Sequence, residues 1–443
     1  MKKIVGVQER VDKLVVNGGK ELQGKVKSSG AKNAVLPIMA SSLLATGVTT
    51  INNVPNLRDT RTFIELLTIL GAKCNFEDST LTIDATNIIS LEAPYDLVKT
   101  MRASFYVMGP LLGRYGETKV SSSGPITLLG RYGETKVSLP GGCAWGPRPV
   151  DYHLKGFEAL GAKIELNQGY ILARSENLKG GNISFDIASV GATANILMAA
   201  VLASGRTTIS NAAIEPHIVQ LCDVLVSMGA DIDGIGTNQL VIHGVKKLSA
   251  VEITVIPDMI EAGTFLMAGA TLGDIELKNV DPSHLTIVLE KLYEAGCEVS
   301  TGIDSIRIQR KTAINPVDIT TNVYPGFATD LQAQWIALMS IANGKSVVTE
   351  SIYLDRFSHV PELVRLGANI NLQKNSATIL GQKKLYGAQV MSTDIRASAS
   401  LVIAALIAEG RSDISRIYHI DRGYENIEDK FRLLGADIYR EKE

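Results

Sequence analysis

A glycine- and proline-rich stretch at residues 140–151, PGGCAWGPRPVD, combines one cysteine with an arginine five positions further on. Gly141 and Gly142 allow backbone conformations that other residues avoid, whereas the prolines that follow fix φ. A guanidinium near a thiol favours the thiolate, and it can also bind a phosphate or a carboxylate through two hydrogen bonds. Cys143 and Arg148 therefore indicate a shaped surface loop that presents a thiol beside a cation. The alternative is a turn that holds an inert cysteine.

The composition narrows the class of protein. A chain of 443 residues is longer than one typical core, so two domains are expected. With 45% hydrophobic and 20% charged residues and a net charge of −2, it is typical of a soluble globular protein with no general attraction to nucleic acid or to an anionic membrane. No apolar run reaches signal-peptide or membrane-span length. The four cysteines and six histidines are scattered, so we expect a cytoplasmic protein without a metal site.

One phrase recurs six times along the chain: a helix-like apolar segment that ends in glycine, followed by two strand-like segments. The intervals between these glycines are 90, 68, 67, 71 and 68 residues, and the glycines are Gly71, Gly161, Gly229, Gly296, Gly367 and Gly435. A fixed period marks a repeated α/β unit with glycine at the helix C-terminal cap. Ala-rich segments such as 192–203 and 398–408 predict helices buried on several sides. The pattern predicts two domains of three units each.

The first interval is longer because ten residues are duplicated. Residues 111–120, LLGRYGETKV, recur verbatim as 128–137, and without this offset of 17 the interval becomes 73. Each unit also has a glycine at the start of one strand, and in this unit that glycine is predicted to be Gly133. Since the second copy runs directly into 140–151, we expect 128–137 to pair in the sheet and 111–127 to bulge out. If the first copy pairs instead, the cysteine loop is pushed outward and activity should fall steeply.

Together, the six units and a series of short blocks resemble the UDP-N-acetylglucosamine enolpyruvyl transferases, which catalyse the first committed step of bacterial peptidoglycan synthesis. The blocks follow in family order along essentially the whole chain: SGAKNA at 29–34, MRAS at 101–104, the loop at 140–151, SVGAT at 189–193, YP at 324–325, TD at 329–330, RF at 356–357, HVPEL at 359–363, DIRAS at 394–398 and HIDRGYE at 419–425.

This resemblance implies the enolpyruvyl transferase fold, a two-domain inside-out α/β barrel built from six repeated α/β units, with helices at the centre and sheets outside. One domain would span 32–256. The other would be discontinuous, from 1–31 and 257–443, and the active site would lie in the cleft between them.

The resemblance also implies a reaction: the enolpyruvyl group of phosphoenolpyruvate is transferred to the 3-hydroxyl of UDP-N-acetylglucosamine and phosphate is released, without a cofactor. Cys143 matches the family's proton donor, which forms a covalent adduct with phosphoenolpyruvate or fosfomycin. Asp330 matches the candidate general base, although an aspartate there could also cap a helix. The matching cations would surround the phosphate (Lys32, Arg148 and Arg422) or lie nearer the carboxylate (Arg356 and Arg396).

Further residues match substrate contacts of that family. Asn33 would touch the substrates beside Lys32, and Asp394 would orient Arg396 or Lys32 by an ion pair. The sugar nucleotide would contact Arg102, Arg148, Pro149, Val150, Asp151, Ser189, Val190, Gly191, Asp330 and Ile352. Ser189, Val190 and Gly191 lie just before the Ala-rich helix, and free N–H groups at the start of a helix bind phosphate oxygens. This position therefore suits the diphosphate of the nucleotide. No P-loop or Rossmann motif occurs, so neither ATP nor NAD is implied.

Three alternatives remain. An enolpyruvylshikimate-phosphate synthase shares the fold and the chemistry, but Cys143 and the SVGAT block disfavour it. A catalytically disabled relative that only binds UDP-N-acetylglucosamine is suggested by the duplication and disfavoured by the retained Cys143, Asp330 and cations. A purely structural repeat protein would not need so many cations on turns. The oligomeric state cannot be read from the sequence.

Overall fold

The computed structural model describes residues 12–121, 150–167 and 170–442. They divide into two compact units. We call the described residues between 29 and 258, together with 323–325, the N-terminal unit. The C-terminal unit comprises 12–28, 259–322 and 326–442.

Each unit contains three four-stranded sheets of one topology. In each sheet the first two strands are parallel, and the remaining pairs are antiparallel. The sheets of the N-terminal unit are Glu252–Thr254, Val48–Asn52, Thr80–Asp84, Lys73–Glu77; Glu92–Ala93, Glu117–Ser121, Tyr170–Arg174, Lys163–Asn167; and Asn182–Ser184, Arg206–Ser210, Gln239–His243, Asp231–Asp233. A short parallel pair joins Ala45–Thr46 to Leu248–Ser249.

The C-terminal unit repeats the arrangement, and its sheets include strands from both ends of the described chain. In strand order they are Leu22–Lys27, Gly273–Lys278, Ser305–Arg310, Cys297–Thr301; Ile319–Thr320, Lys345–Thr349, Ser376–Leu380, Asn369–Gln373; and Gln389–Met391, Arg411–Ser415, Asp12–Asn17, Asp437–Lys442. Six sheets with one topology match the six sequence units.

Thirteen α-helices occur in the described part of the chain. In the N-terminal unit they are α1 (Lys32–Ser41), α2 (Arg58–Leu70), α3 (Tyr95–Val98), α4 (Met108–Tyr115), α5 (Asp151–Ala159), α6 (Val190–Ala200) and α7 (Pro216–Ser227). In the C-terminal unit they are α8 (Met259–Leu272), α9 (Thr286–Glu294), α10 (Gln332–Met339), α11 (Val360–Arg365), α12 (Ile395–Ile407) and α13 (Ile427–Leu433). Short 3₁₀ helices span Ser42–Leu44, Arg102–Val107, Pro282–Leu285, Thr329–Leu331 and Ile417–Arg422.

The helices at the centre of each unit have no polar face. Every residue of α6 from 192 to 200 and every residue of α12 from 396 to 406 is buried. In the C-terminal unit α8, α10 and α12 pack against one another, and in the N-terminal unit α6 packs against α4 and α1. Small residues permit the close approach, since a Cβ at Gly109 of α4 would lie 2.2 Å from the carbonyl oxygen of Asn195 in α6. The predicted buried Ala-rich helices are confirmed.

The six glycines of the repeat all follow the end of a helix. Their φ angles lie between +88° and +109°, a region that only glycine adopts without strain. The prediction of a glycine at the C-terminal cap of one helix in each unit is confirmed.

The expectation for the duplication is wrong. The first copy completes α4 and forms the strand Glu117–Ser121, which pairs with Glu92–Ala93 and Tyr170–Arg174 in the place expected for 128–137. Gly116, with φ of +73°, takes the place expected for Gly133. The physical reason is that α4 begins at Met108, three residues before the first copy. The helix therefore runs directly into residues 111–115 of the first copy.

Arg114 also anchors the first copy. Its Nη1 donates to the carbonyl oxygens of Leu43, Ala45 and Ala85 at 2.8, 2.9 and 3.0 Å. These bonds tie the end of α4 to the strand Ala45–Thr46 and to the end of the strand Thr80–Asp84. The second copy lies outside the described residues.

Across the described ranges, no helix is long and apolar enough to cross a membrane. Within the same ranges, no group of three or more His, Cys, Asp or Glu side chains is arranged to hold a metal ion.

Candidate active site

Two buried arginines meet one aspartate in the C-terminal unit. Arg356 Nη1 lies 2.7 Å from Asp330 Oδ1, and Arg396 Nη2 lies 2.9 Å from Asp330 Oδ2. The arginine side chains are 9% and 6% exposed, whereas that of Asp330 is 26% exposed. The structure thus brings together three residues that the sequence analysis had assigned to the acceptor hydroxyl and to the donor carboxylate.

The starts of two central helices position this cluster. Asp330 belongs to the 3₁₀ turn Thr329–Leu331, and Leu331 rather than Asp330 is the N-cap of α10. Asp394 is the N-cap of α12, where its Oδ1 accepts hydrogen bonds from the N–H groups of Arg396 (2.8 Å) and Ala397 (3.2 Å). Asp394 therefore fixes the backbone from which the Arg396 side chain extends.

Glu350 organises the loop that carries Arg356, although the sequence analysis did not single it out. Its buried carboxylate accepts the N–H groups of Ile352 and Tyr353, both at 2.9 Å, and the hydroxyl of Thr329 at 2.8 Å. Thr329 Oγ1 in turn accepts a hydrogen bond of 3.0 Å from Arg356 Nη1. Ile352, the predicted nucleotide contact, is 40% exposed on this loop.

A second hydrogen-bond network supports Arg396 from within the core. The Tyr424 hydroxyl lies 2.9 Å from Thr264 Oγ1 and 3.4 Å from Arg396 Nη1. Gln334 Nε2 donates to the Tyr424 hydroxyl at 3.2 Å and to the carbonyl oxygen of Asp330 at 3.1 Å. Tyr424 lies in the HIDRGYE block, so the sequence contained a signal for it, whereas Thr264 and Gln334 are far away in the chain.

The charges of the cluster set its protonation. Burial alone would raise the pKa of Asp330, but the guanidinium groups of Arg396 and Arg356 outweigh burial and hold that pKa well below its usual range. His359, at the start of α11, is buried, and burial together with the charge of Arg356 lowers its pKa to about 3. At neutral pH the cluster therefore contains an ionised Asp330, two guanidinium ions and a neutral imidazole.

Arg422 ends the 3₁₀ turn Ile417–Arg422 and is half-buried. The preceding residue, Asp421, forms hydrogen bonds of 3.0 and 2.5 Å with the guanidinium of Arg440, which also binds Glu428 at 2.5 Å. Arg440 thus ties the turn that carries Arg422 to the last strand of the chain.

Lys32 begins α1 in the N-terminal unit. Its Nζ forms a buried ion pair of 2.8 Å with Asp59 Oδ2 in the first turn of α2. Its backbone N–H donates to Asp258 Oδ2 at 3.0 Å, and the segment before it pairs with the segment before Asp258 through Gly30 and Pro257. The sequence analysis did not find Asp59. Asn33, the second residue of α1, is half-buried.

The proposed nucleotide contacts lie at two helix starts of the same unit. Ser189 is the N-cap of α6, and its Oγ accepts a hydrogen bond of 3.4 Å from the N–H of Ala192. Val190 and Gly191 form the first turn of α6. Val150 is the N-cap of α5, and Asp151 is its first residue.

Several predicted residues cannot be placed. Cys143, Arg148 and Pro149 lie outside the described residues. Arg102 begins a 3₁₀ helix, but its side chain is not among those described.

Known proteins match this chain over nearly its whole length. A protein of Chlorobium chlorochromatii named UDP-N-acetylglucosamine 1-carboxyvinyltransferase is 52% identical over 436 residues, which cover 98% of this chain and 99% of the relative. Proteins of the same name from Chloroherpeton thalassium and Myxococcus xanthus are 53% and 50% identical, with 97% and 98% of this chain covered, and 97% and 100% of the relatives. The chain belongs to the family of the UDP-N-acetylglucosamine 1-carboxyvinyltransferases.

This family lies within a wider one, since a model described as EPSP synthase (3-phosphoshikimate 1-carboxyvinyltransferase) matches residues 16–431. Among solved structures, the enolpyruvyl transferase NikO from Streptomyces tendae is similar with a TM-score of 0.86 and 26% identity, covering 98% of this chain and 99% of its own. An EPSP synthase from Acinetobacter baumannii has a TM-score of 0.74 at 17% identity, covering 97% of this chain and 100% of its own, a likeness of fold alone. The predicted enolpyruvyl transferase fold is confirmed.

The three cysteines among the described residues are poor nucleophiles. Burial raises the pKa of Cys222 to about 12 and the pKa values of Cys74 and Cys297 to about 11. Cys222 and Cys297 are buried, whereas Cys74 is only half-buried. A thiol with so high a pKa is almost wholly protonated at neutral pH, so Cys143 is the remaining candidate for thiol chemistry.

Proposed function

We propose that the protein transfers the enolpyruvyl group of phosphoenolpyruvate to the 3-hydroxyl of UDP-N-acetylglucosamine and releases inorganic phosphate. The observation that carries the proposal is the contact of Asp330 with Arg356 and Arg396, because the reaction needs a base beside groups that bind a carboxylate. The acceptor is inferred from the name that the relatives of about 50% identity share.

The roles follow the chemistry of the step. Cys143 would protonate the methylene carbon of the donor, so that C2 becomes electrophilic. Asp330 would accept the proton of the acceptor hydroxyl as its oxygen bonds to C2. The adduct would then lose phosphate, assisted by the cations proposed around that group, Lys32, Arg148 and Arg422. The Cys143 thiolate left by the first step would take a proton back from the C3 methyl group, which restores the double bond of the enolpyruvyl ether.

The remaining predicted residues would bind substrate. Arg356 and Arg396 would hold the donor carboxylate, with Asp394 fixing the start of α12, and Asn33 would touch the substrates beside Lys32. Ser189, Val190 and Gly191 offer N–H groups at the start of α6 to the diphosphate. Arg102, Arg148, Pro149, Val150, Asp151 and Ile352 complete the proposed nucleotide contacts.

We further propose that the two units are the domains expected at 32–256 and at 1–31 with 257–443, and that both contribute residues to the reaction. A cytoplasmic location is proposed because the widely spaced cysteines suit a reducing compartment.

The experiment is an assay of phosphate release from phosphoenolpyruvate with either UDP-N-acetylglucosamine or shikimate 3-phosphate as acceptor. We expect phosphate release when the acceptor is UDP-N-acetylglucosamine but not when it is shikimate 3-phosphate. We also expect that Cys143→Ala releases no phosphate with either acceptor. Release with shikimate 3-phosphate would instead favour the alternative synthase, and binding of UDP-N-acetylglucosamine without any release would favour the disabled relative.

A further inference from the structure

Arg356 and Arg396 are already bound to an anion of the protein itself. Each guanidinium takes one carboxylate oxygen of Asp330, at 2.7 and 2.9 Å. Asp330 is also the most exposed of the three side chains. A carboxylate that approaches these buried arginines from solvent therefore meets them where Asp330 is bound.

The neighbouring carboxylates are held by other groups. Glu350 accepts the N–H groups of Ile352 and Tyr353, and Asp394 accepts those of Arg396 and Ala397. Asp394 Oδ2 also accepts from the hydroxyls of Ser358 at 3.3 Å and Thr393 at 3.4 Å. Asp330, in contrast, binds both guanidinium ions, one through each carboxylate oxygen.

We propose that Arg356 and Arg396 bind Asp330 and the donor carboxylate in turn, so that arrival of the donor releases the base. The inference rests on the proposed function and concerns the timing within its site. While both its oxygens accept from guanidinium groups, Asp330 is a weak acceptor for the hydroxyl proton. When the donor carboxylate takes the guanidinium groups, an Asp330 oxygen becomes available and accepts that proton as the acceptor oxygen bonds to C2.

This arrangement prevents the base from acting before the second substrate is bound. It also has a thermodynamic consequence, because two anions that compete for the same cations weaken each other reciprocally. Asp330 must therefore oppose the binding of phosphoenolpyruvate, although it promotes the chemical step.

The test is the dissociation constant of phosphoenolpyruvate, measured calorimetrically on the full chain and its variants. Asp330→Ala should lower this constant by at least about tenfold, because close charge pairs couple by at least that much. Asp355→Asn is the matched control, since it removes an exposed negative charge next to Arg356 in the chain without freeing the guanidinium groups, and we expect no tightening. Asp330→Asn, which keeps the shape of the side chain, should give an intermediate constant.

Weaker or unchanged binding in Asp330→Ala would overturn the inference, because it would mean that Asp330 only orients the arginines. Equal tightening in Asp355→Asn would also overturn it, since general electrostatics would then suffice. Failure of both the unchanged chain and Asp330→Ala to bind phosphoenolpyruvate would refute the proposed function itself, a result distinct from either.

Steady-state kinetics give an independent check with the same variants. The release of the base predicts that Asp330→Ala lowers kcat by about 10²–10⁴-fold while the KM for phosphoenolpyruvate falls. A purely structural role predicts that KM rises as kcat falls, and that result would contradict the proposal.

Discussion

Deleting residues 121–137 should raise the activity of the chain. Since residues 111–120 and 128–137 are identical, this deletion produces the same protein as deletion of 111–127. The experiment therefore needs no decision about which copy is extra. The strand Glu117–Ser121 and the helix α5 are both paired or packed in the N-terminal unit, so the chain between them has fixed ends.

The number of residues between those ends sets a lower limit for the expected rise in activity. The connection from the strand to Val150 shortens from 28 residues to 11. The scaling of loop entropy with length assigns about 0.8 kcal/mol to this difference, which corresponds to about fourfold in the population of one ordered arrangement. Because Cys143 lies in this connection, kcat/KM should rise by at least about fourfold. Any displacement of Cys143 by the second copy would add up to the 10²–10⁴-fold range of a lost acid.

The assay is phosphate release with UDP-N-acetylglucosamine, run on the full chain and the shortened chain. In a third protein, residues 121–137 are present in permuted order, so that the connection keeps its length but loses the repeated sequence. If the length of the connection causes the effect, this protein should behave like the full chain. Equal activity of the full and shortened chains, or a fall on shortening, would refute the reasoning.

Three further predictions concern the stability of the protein and the reactivity of its thiols. Asp59→Asn removes the negative charge that lies 2.8 Å from the buried Lys32 ammonium and should lower the free energy of unfolding by about 3–5 kcal/mol in urea titrations. The double change Lys32→Met with Asp59→Leu should restore much of this loss, and a loss below about 1 kcal/mol in Asp59→Asn would contradict a stabilising role of the buried pair. His359 is buried and His153 is half-buried, and the pKa of each is lowered from 6.5 to about 3, so the unfolded chain binds more protons than the folded chain below pH 6.5. The free energy of unfolding should therefore fall by about 1.4 kcal/mol for each histidine per unit of pH below 6.5, and either His→Gln variant should remove half of this slope. An unchanged slope in both variants would exclude the histidines as its cause. Iodoacetamide at pH 7.5, followed by peptide mass spectrometry, should modify Cys143 and spare the three cysteines with raised pKa values, and comparable modification of all four would be contrary to this account.

The repeats were predictable from sequence because their signal is local. A helix that needs a left-handed residue after its last turn selects glycine, so the positions from Gly71 to Gly435 mark the units directly. Burial of α6 and α12 was predictable for a similar reason, since segments without a polar face must be covered on all sides.

The duplication could not be resolved in the same way. Two identical copies have identical propensities, and either restores the repeat interval. What decides between them is the helix start at Met108, together with the hydrogen bonds of Arg114 to residues distant in sequence.

The partners of the site residues were also beyond sequence reasoning. Lys32, Arg356 and Arg396 were each identified, but the ion pair with Asp59 and the shared contact with Asp330 depend on how distant segments pack. Glu350 gave no signal because its role is to accept N–H groups of its own loop, which any acidic residue near a turn could do.

Identification of the reaction product tests the central claim most directly. Phosphoenolpyruvate and UDP-N-acetylglucosamine are incubated with the full chain and with the chain that lacks residues 121–137, and the nucleotide product is analysed by mass spectrometry and NMR. We expect an enolpyruvyl ether at the 3-oxygen of the sugar, formed by the shortened chain and more slowly by the full one. Unchanged UDP-N-acetylglucosamine with both proteins would contradict it.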